Sequence, residues 1–199
     1  MKLVETAMGA SERIFEFLEI GDEPNPSDVE IEKLNDSITF ENVSFGYYEN
    51  EKIIKDLSFD VKKGDKIAII GETGAGKTTI VKLLMRFYDV DSGEIKVDGV
   101  NINEYDKNSL RSLMGMVLQD SWLFSDTIAN NIRYGKLDAT DDEIVAAAKA
   151  VNAHDFIMKL ENGYDTELKE RGAGLSVGQR QLLALARTMV SRPKILVLD

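Results

Sequence analysis

Residues 66–87 read K-I-A-I-I-G-E-T-G-A-G-K-T-T-I-V-K-L-L-M-R-F. Residues 67–70 have the length and β-branched content of a short buried strand. Ile80, Leu83, Leu84 and Phe87 recur at helical spacing, so the chain is predicted to pass from strand to helix. Between them, Gly71-x-x-x-x-Gly76-Lys77-Thr78 meets every fixed position of a phosphate-binding loop. The residue types follow from the chemistry. Glycines let backbone N–H groups turn inward around phosphate oxygens without a side chain in the way. The helix that starts there offers unpaired N–H groups and the positive end of its dipole to the same anion. Lys77 can reach the β- and γ-phosphates, and the Thr78 hydroxyl can ligate Mg²⁺. Gly71, Glu72, Thr73, Gly74, Ala75, Gly76, Lys77, Thr78 and Thr79 are therefore the candidate nucleotide site.

The rest of the composition sets limits around that site. The chain has 199 residues, 43% hydrophobic and 30% charged, enough for one well-packed domain with an appendage. A formal charge of −11 argues against a broad nucleic-acid surface, which needs a basic stripe, so no nucleic-acid partner is expected. There is no cysteine, which removes disulfides and thiolate metal sites. No apolar run reaches the roughly 18 residues of a membrane helix, and residues 1–10 lack the order of a signal peptide.

Outward from the loop, the N-terminal residues 1–20 carry Leu3, Ala7, Ala10, Ile14 and Phe17 on one helical face, a stripe with no partner inside the segment. Residues 21–36, with Pro24, Pro26 and several acids, read as a linker, so the domain proper starts near Ser37. Residues 38–45 and 53–61 read as strands around a turn at 46–51. An exposed tyrosine in that turn is equally a surface residue or a flat ring for a base. Residues 94–102 form two alternating runs around Asp98-Gly99, a hairpin signal.

A short helix is predicted over 109–114 and a strand over 115–118. That strand leads to Gln119, which sits where ligand crevices open in doubly wound sheets. Residues 125–134 and 140–160 look helical, with a capping box at Thr140-x-x-Glu143 and a buried stripe of Ile144, Ala147, Ala148 and Val151. The single histidine, His154, is assigned a structural role. Ser176-x-x-Gln179 opens a helix running to Val190, either as a simple cap or as an anion site. Residues 195–198 are a final buried strand that delivers Asp199, a carboxylate suited to Mg²⁺-bound nucleotide.

Taken together, these pieces resemble the nucleotide-binding domain of ATP-binding-cassette transporters, exporter type, over residues 37–199. V-S-F-G-Y is similar to the family's aromatic loop and singles out Tyr47 over Tyr48 for stacking on adenine. Gln119 matches the Q-loop glutamine, which senses Mg²⁺ and the attacking water. L-S-V-G-Q resembles the family signature, implying that Ser176, Gly178 and Gln179 hold the γ-phosphate bound by a second copy. I-L-V-L-D matches the Walker B strand with its Asp199. The resemblance thus implies ATP and Mg²⁺, with Thr78, Gln119 and Asp199 around the metal and Gln119 and Asp199 in catalysis. Residues 166–172 (T-E-L-K-E-R-G) resemble the exporter segment that touches the membrane domain's cytoplasmic loops, and residues 120–128 are similarly exporter-like. Residues 1–20 resemble the cytoplasmic end of a last transmembrane helix, which would make Met1 an internal position. Val177 and Lys169 stand where the family more often has glycine.

The fold expected is an α/β P-loop NTPase. It combines a RecA-like mixed sheet, an antiparallel β subdomain and an α-helical subdomain over about residues 120–175, incomplete at the C-terminus. The family's catalytic glutamate, D-loop and switch histidine would lie beyond Asp199, so the chain reads as a fragment. The function expected is ATP binding and hydrolysis powering export at the cytoplasmic face of the cell membrane. The partners implied are a transmembrane domain and a second nucleotide-binding domain. Two alternatives stand beside it: a soluble ATPase of the same family, and a nucleotide-binding fragment without catalysis.

Overall fold

Strand β1, Ser37–Phe45, alternates inward Ile38 and Phe40, then turns Val43, Ser44 and Phe45 inward. The odd spacing from Phe40 to Val43 is absorbed by a register shift at Asn42, whose φ is 49°. Gly93 sits across that bulge. A Cβ there would stand 2.3 Å from the Asn42 carbonyl oxygen, so only glycine allows the close approach. In this computed structural model, residues 2–21, 23–49, 51–118 and 122–198 are described, without the side chains of residues 2–7 and Glu170.

Among the described residues, β1 is the centre of a four-stranded antiparallel sheet in the order β2-β1-β3-β4, with β2 at Ile54–Lys62, β3 at Ser92–Val97 and β4 at Val100–Asn101. The predicted Asp98-Gly99 turn joins β3 to β4, both residues having positive φ. A second, parallel pair joins β5, Met114–Val117, to β6, Ile195–Leu198, in the register Val117↔Leu198.

Two apolar cores result. The first is the sheet core, in which Phe40, Val43, Ile95 and Val97 meet Leu83 and Leu84 of helix α2, Lys77–Leu84, and Leu110 of helix α3, Lys107–Ser112. The second is all-helical. It is built from α4 (Ile128–Arg133), α5 (Asp141–Ala150), α6 (His154–Ile157) and α7 (Val177–Val190), around Ile128, Ile132, Ile144, Ile157 and Leu183. Both predicted capping boxes, Thr140 with Glu143 and Ser176 with Gln179, are formed on both sides.

Four sequence expectations change in the structure. Residues 67–70 form no strand and are not buried: Ile70 is 92% exposed. A strand needs a neighbour to accept and donate its ladder, and among the described residues nothing pairs with this segment. The helix after the loop stops at Leu84, short of Phe87. Arg86 turns left-handed (φ 54°), and Phe87 N–H returns to the Lys82 carbonyl at 2.9 Å. The helix expected over 140–160 is broken at Asn152 (φ 58°), with Ala153 N–H donating to the Ala148 carbonyl, and it restarts at His154. Finally, residues 23–36, read as a linker, are docked along their length. Ile31 and Leu34 enter the sheet core, and the Asp98 carboxylate accepts the N–H groups of Asn35, Asp36 and Ser37. Burial pushes the Asp98 carboxyl up, but those donors outweigh it and its pKa lies below the usual value.

Helix α1, Lys2–Leu18, forms as expected, and its described side chains, among them Ile14, Phe15, Phe17 and Leu18, are exposed. The Leu3 and Ala7 side chains lie outside those described. No described helix is long and apolar enough to cross a membrane.

Candidate functional site

The phosphate loop precedes α2 as a tight, glycine-shaped turn. Gly74 (φ 87°) and Gly76 (φ 86°) are left-handed, and Gly76 is the residue before the helix. At position 76 a Cβ would stand 2.7 Å from Ile54 Cδ1 and 2.8 Å from Ile53 Cγ2, so a side chain there would push those two side chains aside and sit on a left-handed backbone that favours glycine. Ala75 N–H donates to the Glu72 carbonyl at 3.1 Å, closing the turn. Lys77 folds back over it, its Nζ donating to the Gly71 and Glu72 carbonyls at 2.8 Å each. The ammonium thus lies across the mouth of the loop, at the helix end where anions are favoured. Thr79 is buried one residue after Thr78 in the first turn.

Beside the loop, the structure separates the two tyrosines that sequence physics left even. Tyr47 is 38% exposed, and its Oη lies 3.2 Å from Thr79 Oγ1. Its ring meets Phe45 and Tyr88 edge-on at 5.1 and 5.2 Å, and Lys82 Nζ lies 5.8 Å from its centroid. Tyr48 is 76% exposed and sits at the turn, bridged to Glu51. Only Tyr47 is held against the helix that carries Lys77 and Thr78.

Gln119 and Asp199 lie outside the described residues. The strands that lead to them, β5 and β6, are parallel neighbours and end level with each other. Ser176, Gly178 and Gln179 belong to the helical unit. Ser176 Oγ accepts the Gln179 N–H at 3.2 Å, Gln179 Oε1 accepts the Ser176 N–H at 2.8 Å, and no atom would meet a Cβ at Gly178. Val177 occupies the first helical position with ordinary φ, so a β-branched residue fits where a glycine is common. Among the described residues no acidic or histidine cluster forms a ready metal site, and His154 instead bonds Tyr164, Nδ1 to Oη, at 2.9 Å.

The structure also joins two runs that are far apart in sequence. Ile128 N–H donates to the Thr166 carbonyl at 3.1 Å, and Leu168 N–H to the Asp126 carbonyl at 3.0 Å. Beneath them lies Asn131, 1% exposed, whose amide bonds the Phe124 and Thr127 carbonyls. Arg187 reaches in from α7 to the Asn131 and Trp122 carbonyls, and burial lowers its pKa. The result is a surface of Trp122, Phe124 and Tyr134, with the Arg171 guanidinium 4.7 Å over the Trp122 ring. Asn131 and Arg187 escape sequence reading, since a polar pair joined across 56 residues leaves no periodic signal.

Residues 54–199 match the family described as ABC transporter. The chain is 44% identical over 196 residues to a fatty acid ABC transporter ATP-binding/permease protein of Mycobacterium bovis, covering 98% of this chain and 31% of that protein. It is 45% identical over 198 residues to a putative multidrug export ATP-binding/permease protein of Bacillus subtilis, covering 97% of this chain and 34% of that one. The structure of a bacterial Atm1-family ABC exporter with ATP bound superposes with a TM-score of 0.87 at 43% identity, over 98% of this chain and 35% of that one. The chain therefore spans about a third of the length of the relatives it matches. With its glycine-shaped phosphate loop, flanking antiparallel sheet and helical unit, this chain belongs to the ABC transporter family and has the fold of that family's ATP-binding domain.

Proposed function

We propose that the chain binds ATP at residues 71–79 and serves as the hydrolysing domain of an exporter. The observation that carries this reading is the loop before α2. Two left-handed glycines shape the turn, and Lys77 at the first helical residue lays its ammonium over that turn at the N-terminus of α2. A triphosphate is the anion that such a cradle fits, and Tyr47 beside Thr79 offers a ring face for the base. Mg²⁺ would be held by Thr78 with Gln119 and Asp199, and would supply positive charge to offset that of the phosphates.

The chain's own residues do the rest. Lys77 leaves the Gly71 and Glu72 carbonyls for the phosphates, and the N-terminus of α2 stabilises the added charge. Gln119 positions the attacking water. The 14-residue helix α7, capped by Ser176, presents its positive end to the γ-phosphate of a second copy through Ser176, Gly178 and Gln179. The joined runs at 126–128 and 166–168, with Trp122 and Phe124, form the surface for a membrane domain. On this reading the chain works at the cytoplasmic face of a membrane.

The test is ATP hydrolysis by the intact protein in a membrane, compared with Ser176→Arg. A bulky cation at the head of α7 is expected to abolish turnover while ATP still binds at residues 71–79. Undiminished turnover in Ser176→Arg would remove the second copy from the mechanism.

A further inference from the structure

The docked segment 23–36 and the phosphate-loop helix share one residue. Arg111, on α3, donates from Nε to the Met85 carbonyl and from Nη2 to the Arg86 carbonyl, both at 2.9 Å, which caps the C-terminal end of α2. A cation at that end also meets the negative pole of the helix dipole. The same guanidinium forms a two-pronged pair with Glu23, Nη1 to Oε2 at 2.6 Å and Nη2 to Oε1 at 2.9 Å, and it lies 4.9 Å over the Phe87 ring. Lys107 Nζ adds a third contact to Glu23 at 3.0 Å. These cations, Arg111 first, bring the Glu23 carboxyl down to about 2 from an ordinary 4.5.

Glu23 does not act alone. Asn25 bonds the Asp106 carboxylate, Ser27 Oγ donates to the Glu104 carbonyl, the Val29 carbonyl accepts the Asp106 N–H at 2.7 Å, and Ile31 N–H donates to Ser109 Oγ at 3.1 Å. Segment 23–36 is thus laced to α3, and α3 holds the far end of the helix whose near end carries Lys77 and Thr78. In the chain, segment 23–36 comes directly after the α1 region.

We propose that Arg111 is a positioning residue for the ATP site, and that Glu23 and Arg111 form a joint through which segment 23–36 and the phosphate-loop helix set each other's position. The joint is asymmetric in chemistry. Only a forked, permanently charged donor spans two carbonyls and a carboxylate at once, so neither lysine nor a reversed charge pair can replace it. By reciprocity, whatever docking of segment 23–36 does for ATP binding, ATP binding does for the docking.

The inference rests on ATP binding at residues 71–79, and one experiment separates the two claims. Amide hydrogen exchange is followed in the intact protein, with and without ATP. Slowed exchange in residues 71–79 reports the nucleotide site. The joint predicts that ATP also slows exchange of the Ile31 and Asp106 amides, by about fivefold or more, the lower range of ordinary coupling. That second effect disappears in Glu23→Gln, a substitution at an exposed position that leaves protection of residues 71–79 by saturating ATP in place. Protection of residues 71–79 with no change at Ile31 and Asp106, or an unchanged response in Glu23→Gln, would overturn the joint and leave the nucleotide site standing. No protection in residues 71–79 would overturn both. A merely structural ion pair predicts faster exchange of Ile31 and Asp106 in Glu23→Gln regardless of ATP, which is a different pattern.

Discussion

Tyr47 and Tyr48 are chemically identical neighbours, and packing alone tells them apart. Tyr47 is anchored by Thr79 and framed by Phe45 and Tyr88, so a base stacking on it meets a ring already fixed in place. Tyr48 stands in solvent at the turn and would have to be immobilised first. Tyr47→Ala is therefore expected to weaken ATP binding by about 1–3 kcal/mol, the usual worth of base–aromatic stacking. Tyr48→Ala is expected to do much less. A competition titration with a fluorescent nucleotide ranks them, and the opposite order would shift the base to the other ring. Gly76 is likewise set by its surroundings, its left-handed backbone lying against the Ile53 and Ile54 side chains.

Elements differ in how much of them the sequence alone discloses. The capping boxes of α5 and α7, the Asp98-Gly99 turn and the loop before α2 are legible, because each is a local pattern whose partners lie within a few residues. Thr140→Ala removes the acceptor for the Glu143 N–H and is expected to cost about 1 kcal/mol of stability. Thermal unfolding measures it, and an unchanged midpoint would mean that the box contributes nothing to α5. What is not legible is non-local. Nothing in the sequence says that Glu23 meets Arg111, 88 residues away, so a Pro- and acid-rich stretch reads as a linker. Asn152 supplies the left-handed residue that a glycine would have advertised, so the sequence reads as one helix where there are two. Residues 67–70 have the composition of a buried strand, but composition cannot say whether a neighbouring strand is present to pair with them.

At the scale of the whole molecule, the apolar surface left open among the described residues includes residues 67–70, the Leu196 and Leu198 face of β6, and the described side chains of α1. Unpaired extended segments and apolar patches associate when nothing covers them. Residues 1–199 alone are accordingly expected to self-associate as concentration rises, and Ile70→Lys with Leu198→Lys to reduce it. Sedimentation velocity reads this directly, and a monomer at all concentrations would show that these faces are inert. Titration calorimetry of Mg-ATP into the intact protein is predicted to show binding that Lys77→Ala, folded by circular dichroism, all but abolishes. Equal affinity in the two proteins would contradict the account, because the phosphates would then be bound elsewhere.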